Sequence, residues 1–272
     1  MLRNLLFPAF FLAAFFFCLP APSLATGALV TPLRFVLEDR ERSATMRIVN
    51  TNDRSVSYRI ETVLMEQDMS GRTREIKNLE DHGDLLRMVR FSPRQIRLEP
   101  HEMQAVRIMV RKPADLQDGE YRVHMKVSPL PETPDRVQMP GKDEPASSTT
   151  ITIHTLVSTI LPLIIRHGET SVSLDARGLE LESLPGDRKA LKTLLIAEGN
   201  RSAFMDAAFF WEDTLIAERK GFAIYQPNGK LNISFPLQED LPPSGSTLRL
   251  VLHDREKEGN PLLKEIPLVL NY

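Results

Sequence analysis

Cysteine is nearly missing from this sequence: among 272 residues there is a single one, Cys18. One cysteine excludes a disulfide framework and any zinc site built from cysteines. An excess of charge of one sign is missing too, since 34 basic and 36 acidic side chains leave a formal net charge of −2. This balance argues against a nucleic-acid-binding protein, which carries a basic excess to neutralise phosphates.

Catalytic motifs are also absent from the sequence. It contains no glycine-rich phosphate loop, no G-x-S-x-G turn and no H-E-x-x-H pair. The six histidines are scattered, and no two of them have the i, i+4 spacing of a metal-binding helix. We therefore expect a protein that is not an enzyme and that holds neither a cofactor nor a metal ion.

The N-terminus has the parts of a secretory signal peptide. Arg3 precedes an apolar run from Leu5 to Leu19, and the small residues Ser23 and Ala25 follow. The run is shorter than the roughly 20 residues of a membrane-spanning helix. Phenylalanines stand before Cys18, where a lipoprotein signal needs small residues. We expect residues 1–25 to be removed, which leaves a mature protein without cysteine and without membrane insertion.

Apolar and polar residues alternate with a period of two in the first part of the mature chain, and this pattern predicts β-strands. The predicted strands are Leu29–Leu37, Thr45–Asn50, Val56–Met65, Leu85–Phe91, Ala105–Arg111 and Gly119–Val127. Short strands at such spacings are typical of an immunoglobulin-like β-sandwich. A proline-rich segment, 128–148, then predicts a long loop of the kind that often has a function.

The run Thr149–Arg166 reads TTITIHTLVSTILPLIIR and contains no acidic residue. A strand rarely exceeds about ten residues, so this run is either two strands or one strand that extends beyond its own sheet. As an exposed edge it would promote aggregation unless a partner covered it.

A second series of predicted strands follows His167. In that series the turn signal Asn228-Gly229 predicts a hairpin between Phe222–Tyr225 and Leu231–Phe235. The sequence thus predicts an all-β chain with two domains, 26–167 and 168–272.

Four further segments carry motifs that are more specific than alternation. Ser92–Pro100 reads SPRQIRLEP and is followed by QAVRI at Gln104–Ile108. Gly119–Met125 reads GEYRVHM, and Met46–Asp53 reads MRIVNTND. Together with the long apolar run, these segments resemble the periplasmic chaperones of the chaperone–usher pathway, which deliver pilus subunits to an outer-membrane usher. The resemblance covers nearly the whole mature chain.

This resemblance implies two immunoglobulin-like β-sandwich domains set at an angle, in an L shape, and a location in the periplasm. It implies donor-strand complementation, in which the chaperone's last strand, here 149–166, fills an apolar groove of the subunit by β-augmentation. The implied partners are pilus subunits and the usher, with no nucleic acid.

The resemblance also implies site residues. Arg34 matches a first-strand arginine that binds the C-terminal carboxylate of the subunit. The family's second cation, a lysine, aligns with Pro162, which has neither a charge nor an N–H group; a proline there resembles the archaic branch. Counting back from Pro162 by the family's spacing places these residues on the donating face: Ile151, Ile153, Thr155, Val157, Thr159 and Leu161. A bulge would exchange the two faces along part of the strand.

Two other classes of protein compete with this interpretation. A pilus subunit or adhesin would carry a short alternating N-terminal extension to donate, and none is present. A secreted carbohydrate-binding β-sandwich would expose aromatic platforms, but the sequence has only one tryptophan and four tyrosines.

Overall fold

The computed structural model describes residues 25–78, 83–131 and 155–272. Within these ranges the first part of the chain forms a short helix, α1 (Gly83–Met88), and the strands β1 (Ala25–Thr26), β2 (Ala28–Thr31), β3 (Phe35–Leu37), β4 (Ser43–Asn50), β5 (Val56–Val63), β6 (Met65–Gln67), β7 (Thr73–Glu75), β8 (Val89–Ser92), β9 (Gln95–Leu98), β10 (Met103–Val110), β11 (Gly119–Pro129), β12 (Thr155–Leu156) and β13 (Thr159–His167).

The second part consists of the strands β14 (Val172–Leu184), β15 (Arg188–Gly199), β16 (Ala203–Trp211), β17 (Thr214–Ile224), β18 (Lys230–Pro236), β19 (Thr247–Asp254) and β20 (Leu262–Val269). In the ranges described, no helix has the length and the apolar character needed to cross a membrane.

The first domain has two main sheets, with the strand orders β2-β4-β10-β8 and β3-β13-β11-β5-β9. Alternate side chains of both sheets point into a shared core, which explains the period-two pattern of the sequence. The largest fully buried side chains of that core include Tyr58, Met46, Ile48, Ile108 and Met125. Because the chain has a single cysteine and can form no internal disulfide, this apolar packing holds the domain together.

The second domain is a sandwich of the sheets β14-β15-β18 and β17-β16-β19-β20. Phe209 and Phe235 meet edge to face in its core, with ring centroids 5.0 Å apart. The core residues of the two domains form separate clusters, the first ending at Ile165 and the second beginning at Leu174. The chain is therefore all-β, with two immunoglobulin-like sandwiches, as the sequence predicted.

The predicted first strand, Leu29–Leu37, is in fact two strands in different sheets. β2 pairs with β4, whereas β3 pairs with β13 in parallel. Pro32 lies between them and cannot donate to a strand ladder, and Leu33 is 71% exposed. The prediction of one continuous strand was wrong, and the change of sheet places Arg34 directly before β3.

Two further local predictions were wrong. The segment Leu85–Phe91 contributes to α1 and β8 rather than to a single strand. The Asn228-Gly229 turn exists, with Gly229 at a φ of 62° that favours glycine, but it does not close a hairpin. It carries the chain from β17 to β18, which belong to opposite sheets.

Candidate functional site

The outer edge of β13 is only partly paired. On its inner side, β13 pairs with β11 in antiparallel register from Thr159 to His167. On its outer side, β3 covers only Leu163 to Ile165, and β1 pairs with the preceding strand β12. Among the residues that the structure describes, no strand pairs with this outer edge from Thr159 to Pro162. We call this four-residue stretch the free edge.

The two faces of β13 differ in what they contact. Leu161, Leu163 and Ile165 belong to the core of the first domain, so the odd-numbered positions point inward. Leu161 is only 3% exposed, and it lies opposite Met125, another core residue. The prediction that Leu161 lies on the donating face was therefore wrong, because the register with β11 turns its side chain into the sandwich.

The residues before β13 are more accessible. Val157 lies outside any strand and is 47% exposed. Thr155 is exposed in β12, and Thr159 is half-buried at the start of β13. These three predicted donor positions keep at least part of their surface free. The predicted positions Ile151 and Ile153 lie outside the described residues.

Arg34 lies where the two domains meet. Its guanidinium carbon is 3.9 Å from the centroid of the Phe204 ring in the second domain. Because Phe35 pairs with Leu163, Arg34 is next to Pro162, at the end of the free edge. The side chain is half-buried, and within the described ranges no carboxylate forms an ion pair with it.

A second cation, Arg122 of β11, lies nearby, and the sequence analysis missed it. Its guanidinium carbon is 4.0 Å from the centroid of the Tyr225 ring. Tyr225 in turn packs edge to face on Phe204, with centroids 5.6 Å apart. The two arginines of the first domain thus flank one aromatic pair of the second domain. Burial lowers the pKa of Arg122 and raises the pKa of Tyr225.

Pro162 itself has no cation opposite it. Its partner across the ladder is His124, which is 7% exposed and whose Nδ1 has no hydrogen-bond partner among the described residues. Burial, followed by the charge of Arg122, lowers the pKa of His124 to about 3. The imidazole is therefore neutral near pH 7, and Arg122, two residues away on β11, carries a positive charge.

A buried ion-pair network joins the two domains at the end of β13. Arg166, whose side chain is 5% exposed, donates to both carboxylate oxygens of Glu256 at 2.8 and 2.9 Å. It also donates to Glu38 at 2.8 Å and to Glu120 at 3.3 Å. Since Glu256 belongs to the second domain, the network fixes that domain against the strand that carries the free edge.

The hairpin of β6 and β7 makes a further contact between the domains. Gln67 donates to the carbonyl oxygen of Ala223 at 3.2 Å and accepts from the backbone N–H of Tyr225, also at 3.2 Å. The backbone N–H of Asn232 donates to the carbonyl oxygen of Met69 at 2.6 Å. Because Gln67 binds the backbone of Tyr225, this hairpin helps to position the aromatic pair, against which both arginines pack.

The described residues contain no group of three or more His, Cys, Asp and Glu side chains that could hold a metal ion. The site thus consists of a strand edge, two arginines and an aromatic pair. Such an arrangement can bind a polypeptide strand and a carboxylate, and it offers no acid–base or nucleophilic pair.

Comparison of the sequence with models of protein families finds no match, and comparison with curated proteins finds none. Comparison with solved structures finds the YadV chaperone, with a TM-score of 0.50 and 10% identity over 89% of this chain and 99% of that chain. It also finds a chain of the CsuC–CsuE chaperone–tip adhesion subunit pre-assembly complex from the archaic chaperone–usher Csu pili of Acinetobacter baumannii. That match has a TM-score of 0.50 and 12% identity over 90% of this chain and 100% of that chain.

At these identities the similarity concerns the fold. The two-domain β-sandwich of this chain is the fold of chaperones from chaperone–usher systems. The resemblance seen in the sequence is therefore confirmed for the fold.

Proposed function

We propose that this protein is a periplasmic chaperone that binds pilus subunits by donor-strand complementation and delivers them to an outer-membrane usher. The observation that carries the proposal is the free edge of β13, which ends beside Arg34. The N–H and C=O groups of an edge strand are a template for pairing with another chain, and a subunit that lacks a strand would supply the partner. We propose no catalytic activity.

The register of β3 supports the role of Arg34 as the carboxylate anchor. A subunit strand that runs parallel to β13 along the free edge meets the start of β3 at the pair Phe35–Leu163. Its last residue then lies at Arg34. A guanidinium binds a carboxylate through two parallel hydrogen bonds, and partial burial strengthens the attraction by lowering the effective dielectric constant.

The exposed residues ahead of the free edge support the donor role. We propose that Ile151, Ile153, Thr155 and Val157 enter the groove of the subunit, and the exposure of Val157 agrees with this role. Each fully buried aliphatic side chain contributes about 1.5–3 kcal/mol. A few such side chains, with the main-chain bonds of the free edge, are sufficient to hold an incomplete subunit.

Co-expression in a Gram-negative host tests this function. The chaperone is produced with the exported proteins encoded next to it, and a photo-crosslinking amino acid replaces Ile160 on the free edge. The control carries the same amino acid at Arg90, an exposed position of β8 in the opposite sheet. We expect a subunit to co-purify and to crosslink from position 160 but not from position 90.

Two results would contradict the proposal. If the intact chaperone captures no exported protein, the chaperone function is wrong. If a captured protein crosslinks equally from position 90, the free edge is not the binding site. Recovery of the protein itself within surface fibres would instead identify it as a pilus subunit or adhesin.

A further inference from the structure

The outer face of the sheet β2-β4-β10-β8 carries three arginines and no acidic residue. It consists of the odd-numbered residues of β2, β4 and β10 and the even-numbered residues of β8, because the alternate positions, such as Met46 and Ile108, lie in the core. We call this set of outward residues the arginine face. It lies on the side of the first domain that points away from β13.

The three arginines form a diagonal row across three strands. Arg107 is at the centre, opposite Thr45 of β4 on one side and Ser92 of β8 on the other. Arg47 lies opposite the residue two positions before Arg107, and Arg90 lies opposite the residue two positions after it. Such diagonal neighbours are about 7–8 Å apart, so the row is about 15 Å long.

This row has no counter-charge among the described residues. All three arginines are exposed, and within the described ranges no carboxylate forms an ion pair with any of them. The acids just before β4 and β10, Glu41 and Glu102, instead accept hydrogen bonds from the backbone N–H groups of Glu38 and Glu99, each at 2.8 Å. Like charges at this spacing repel one another. The row is therefore complementary to an extended anion.

Exposed apolar side chains flank the row at both ends. Leu29 and Met103 are 52% and 56% exposed, and both lie opposite Val49, two residues from Arg47 on β4. At the other end, Met109 is 48% exposed and lies opposite Arg90. Exposed apolar side chains mark interaction surfaces, and basic residues beside them are typical of surfaces that bind anionic lipids.

We propose that the arginine face binds the surface of a membrane that contains anionic phospholipids. Arg107, Thr45 and Ser92 line one depression of the surface, with a volume of about 480 Å³, where a headgroup phosphate can accept hydrogen bonds from the guanidinium and from both hydroxyls. One phosphate ion cannot contact all three arginines along a row of about 15 Å, whereas the many phosphates of a lipid surface can. The apolar side chains at the two ends then enter the boundary between headgroups and acyl chains.

The arginine face and the free edge belong to opposite sheets of the first domain. A molecule that is attached to a lipid surface through the arginine face therefore keeps β13 and Arg34 accessible. The proposal goes beyond the chaperone function and does not depend on it, because none of its residues belongs to the free edge or to the carboxylate anchor.

Co-sedimentation of the purified protein with lipid vesicles tests the proposal. One set of vesicles contains phosphatidylcholine and phosphatidylglycerol, and the other contains phosphatidylcholine alone. We expect binding to the anionic vesicles to be at least roughly tenfold tighter, and to weaken as the salt concentration rises, because salt screens exposed charges. Inorganic phosphate, titrated in an NMR experiment, is the soluble probe, and we expect no saturable binding of it.

Variants assign the binding to the arginine face. Arg107→Gln should weaken binding to the anionic vesicles roughly fivefold, and the double variant Arg47→Gln/Arg107→Gln should weaken it further. The matched control is Arg59→Gln, which removes an exposed arginine from β5 in the opposite sheet and should leave binding unchanged. Met103→Thr, which alters no charge, should also weaken binding. Thermal unfolding curves should show equal or higher midpoints for the arginine-face glutamine variants, because a repulsion is removed.

Equal binding to the two kinds of vesicle, or binding to neither, would overturn the proposal. So would equal losses in Arg107→Gln and Arg59→Gln, since the net charge rather than this face would then be responsible. Arg47→Gln replaces Arg107→Gln in this comparison should the latter not fold. Saturable binding of inorganic phosphate as tight as that of the vesicles would identify a site for a small anion instead of a membrane. A crosslink from position 107 to a protein, without vesicle binding, would identify a protein interface instead.

Discussion

Phe35 pairs with Leu163 in parallel register, and this pair determines where the free edge of β13 ends. Because β3 covers the strand from this pair onward, an added strand reaches no further than Arg34. Pro162 occupies the last position before the pair, and it offers no N–H group to an added strand. The two residues Arg34 and Phe35 thus set both the length of the free edge and the positive charge at its end.

Replacing Arg34 by Ala should abolish capture of the subunit, because the terminal carboxylate loses its partner. The free energy of unfolding should fall by about 1 kcal/mol or less, since the main contact of Arg34 with the described residues is a cation–π contact with Phe204. Co-purified subunit and a thermal unfolding curve measure the two effects. Arg90→Ala is the control, and an unchanged yield of subunit in Arg34→Ala would show that the anchor lies elsewhere.

Aspartate substitutions at Val157 and Leu161 should have opposite consequences. Val157→Asp should release the subunit and leave the chaperone folded, because this side chain is exposed. Leu161→Asp should unfold the first domain, since a charge in an apolar core costs several kcal/mol. Circular dichroism and subunit capture, measured on both variants, separate these outcomes. Unfolding of Val157→Asp would place that residue in the core instead.

Replacing Arg166 by Met should destabilise the protein by about 3–5 kcal/mol, because Glu120 would remain buried without a cation and Glu256 would keep only Arg201, at 3.6 Å. Denaturant unfolding measures the loss. The matched control is Arg249→Met, which removes an exposed pair with Glu265 at 3.4 Å and should cost about 1 kcal/mol or less. Equal losses in the two variants would mean that the network between the domains contributes no more than a surface ion pair.

Acidification should destabilise the protein through His124. The pKa of this imidazole is about 3 in the folded chain, against an ordinary value of 6.5, so the unfolded chain binds one more proton between these values. Stability should therefore fall as the pH drops from 6.5 towards 3, with a slope of up to about 1.4 kcal/mol per pH unit. Denaturant unfolding at several pH values measures this slope, and His124→Gln should reduce it. An identical slope in the variant would assign the effect to other groups.

The sequence predicted the all-β class and the two sandwiches because burial on one face leaves a period of two along each strand. It also predicted Arg34 as a site residue from the resemblance, and the structure places Arg34 against Phe204 of the second domain; its role stays a prediction. Arg122 was missed, although the alternation in β11 indicates that it points away from the core. Tyr225, which covers Arg122, follows β17 of the second domain, and no local pattern contains this information.

The error at Leu161 has a similar cause. Alternation of apolar and polar residues defines two faces of a strand, but it does not indicate which face a neighbouring sheet will cover. The register with Met125 decides this, and it depends on a strand more than thirty residues earlier in the chain. The split of Leu29–Leu37 also follows from tertiary pairing, because β2 and β3 find partners in different sheets.

The contact of Gln67 with Ala223 joins residues that are 156 positions apart. Under the proposed function, the N-terminal part of the chain would leave the membrane first, and the first domain could fold before the segment that carries Tyr225 arrives. At that time the free edge would exist without the rings that contact Arg34 and Arg122. We therefore expect a chaperone to hold a terminal carboxylate only after its second domain has been exported.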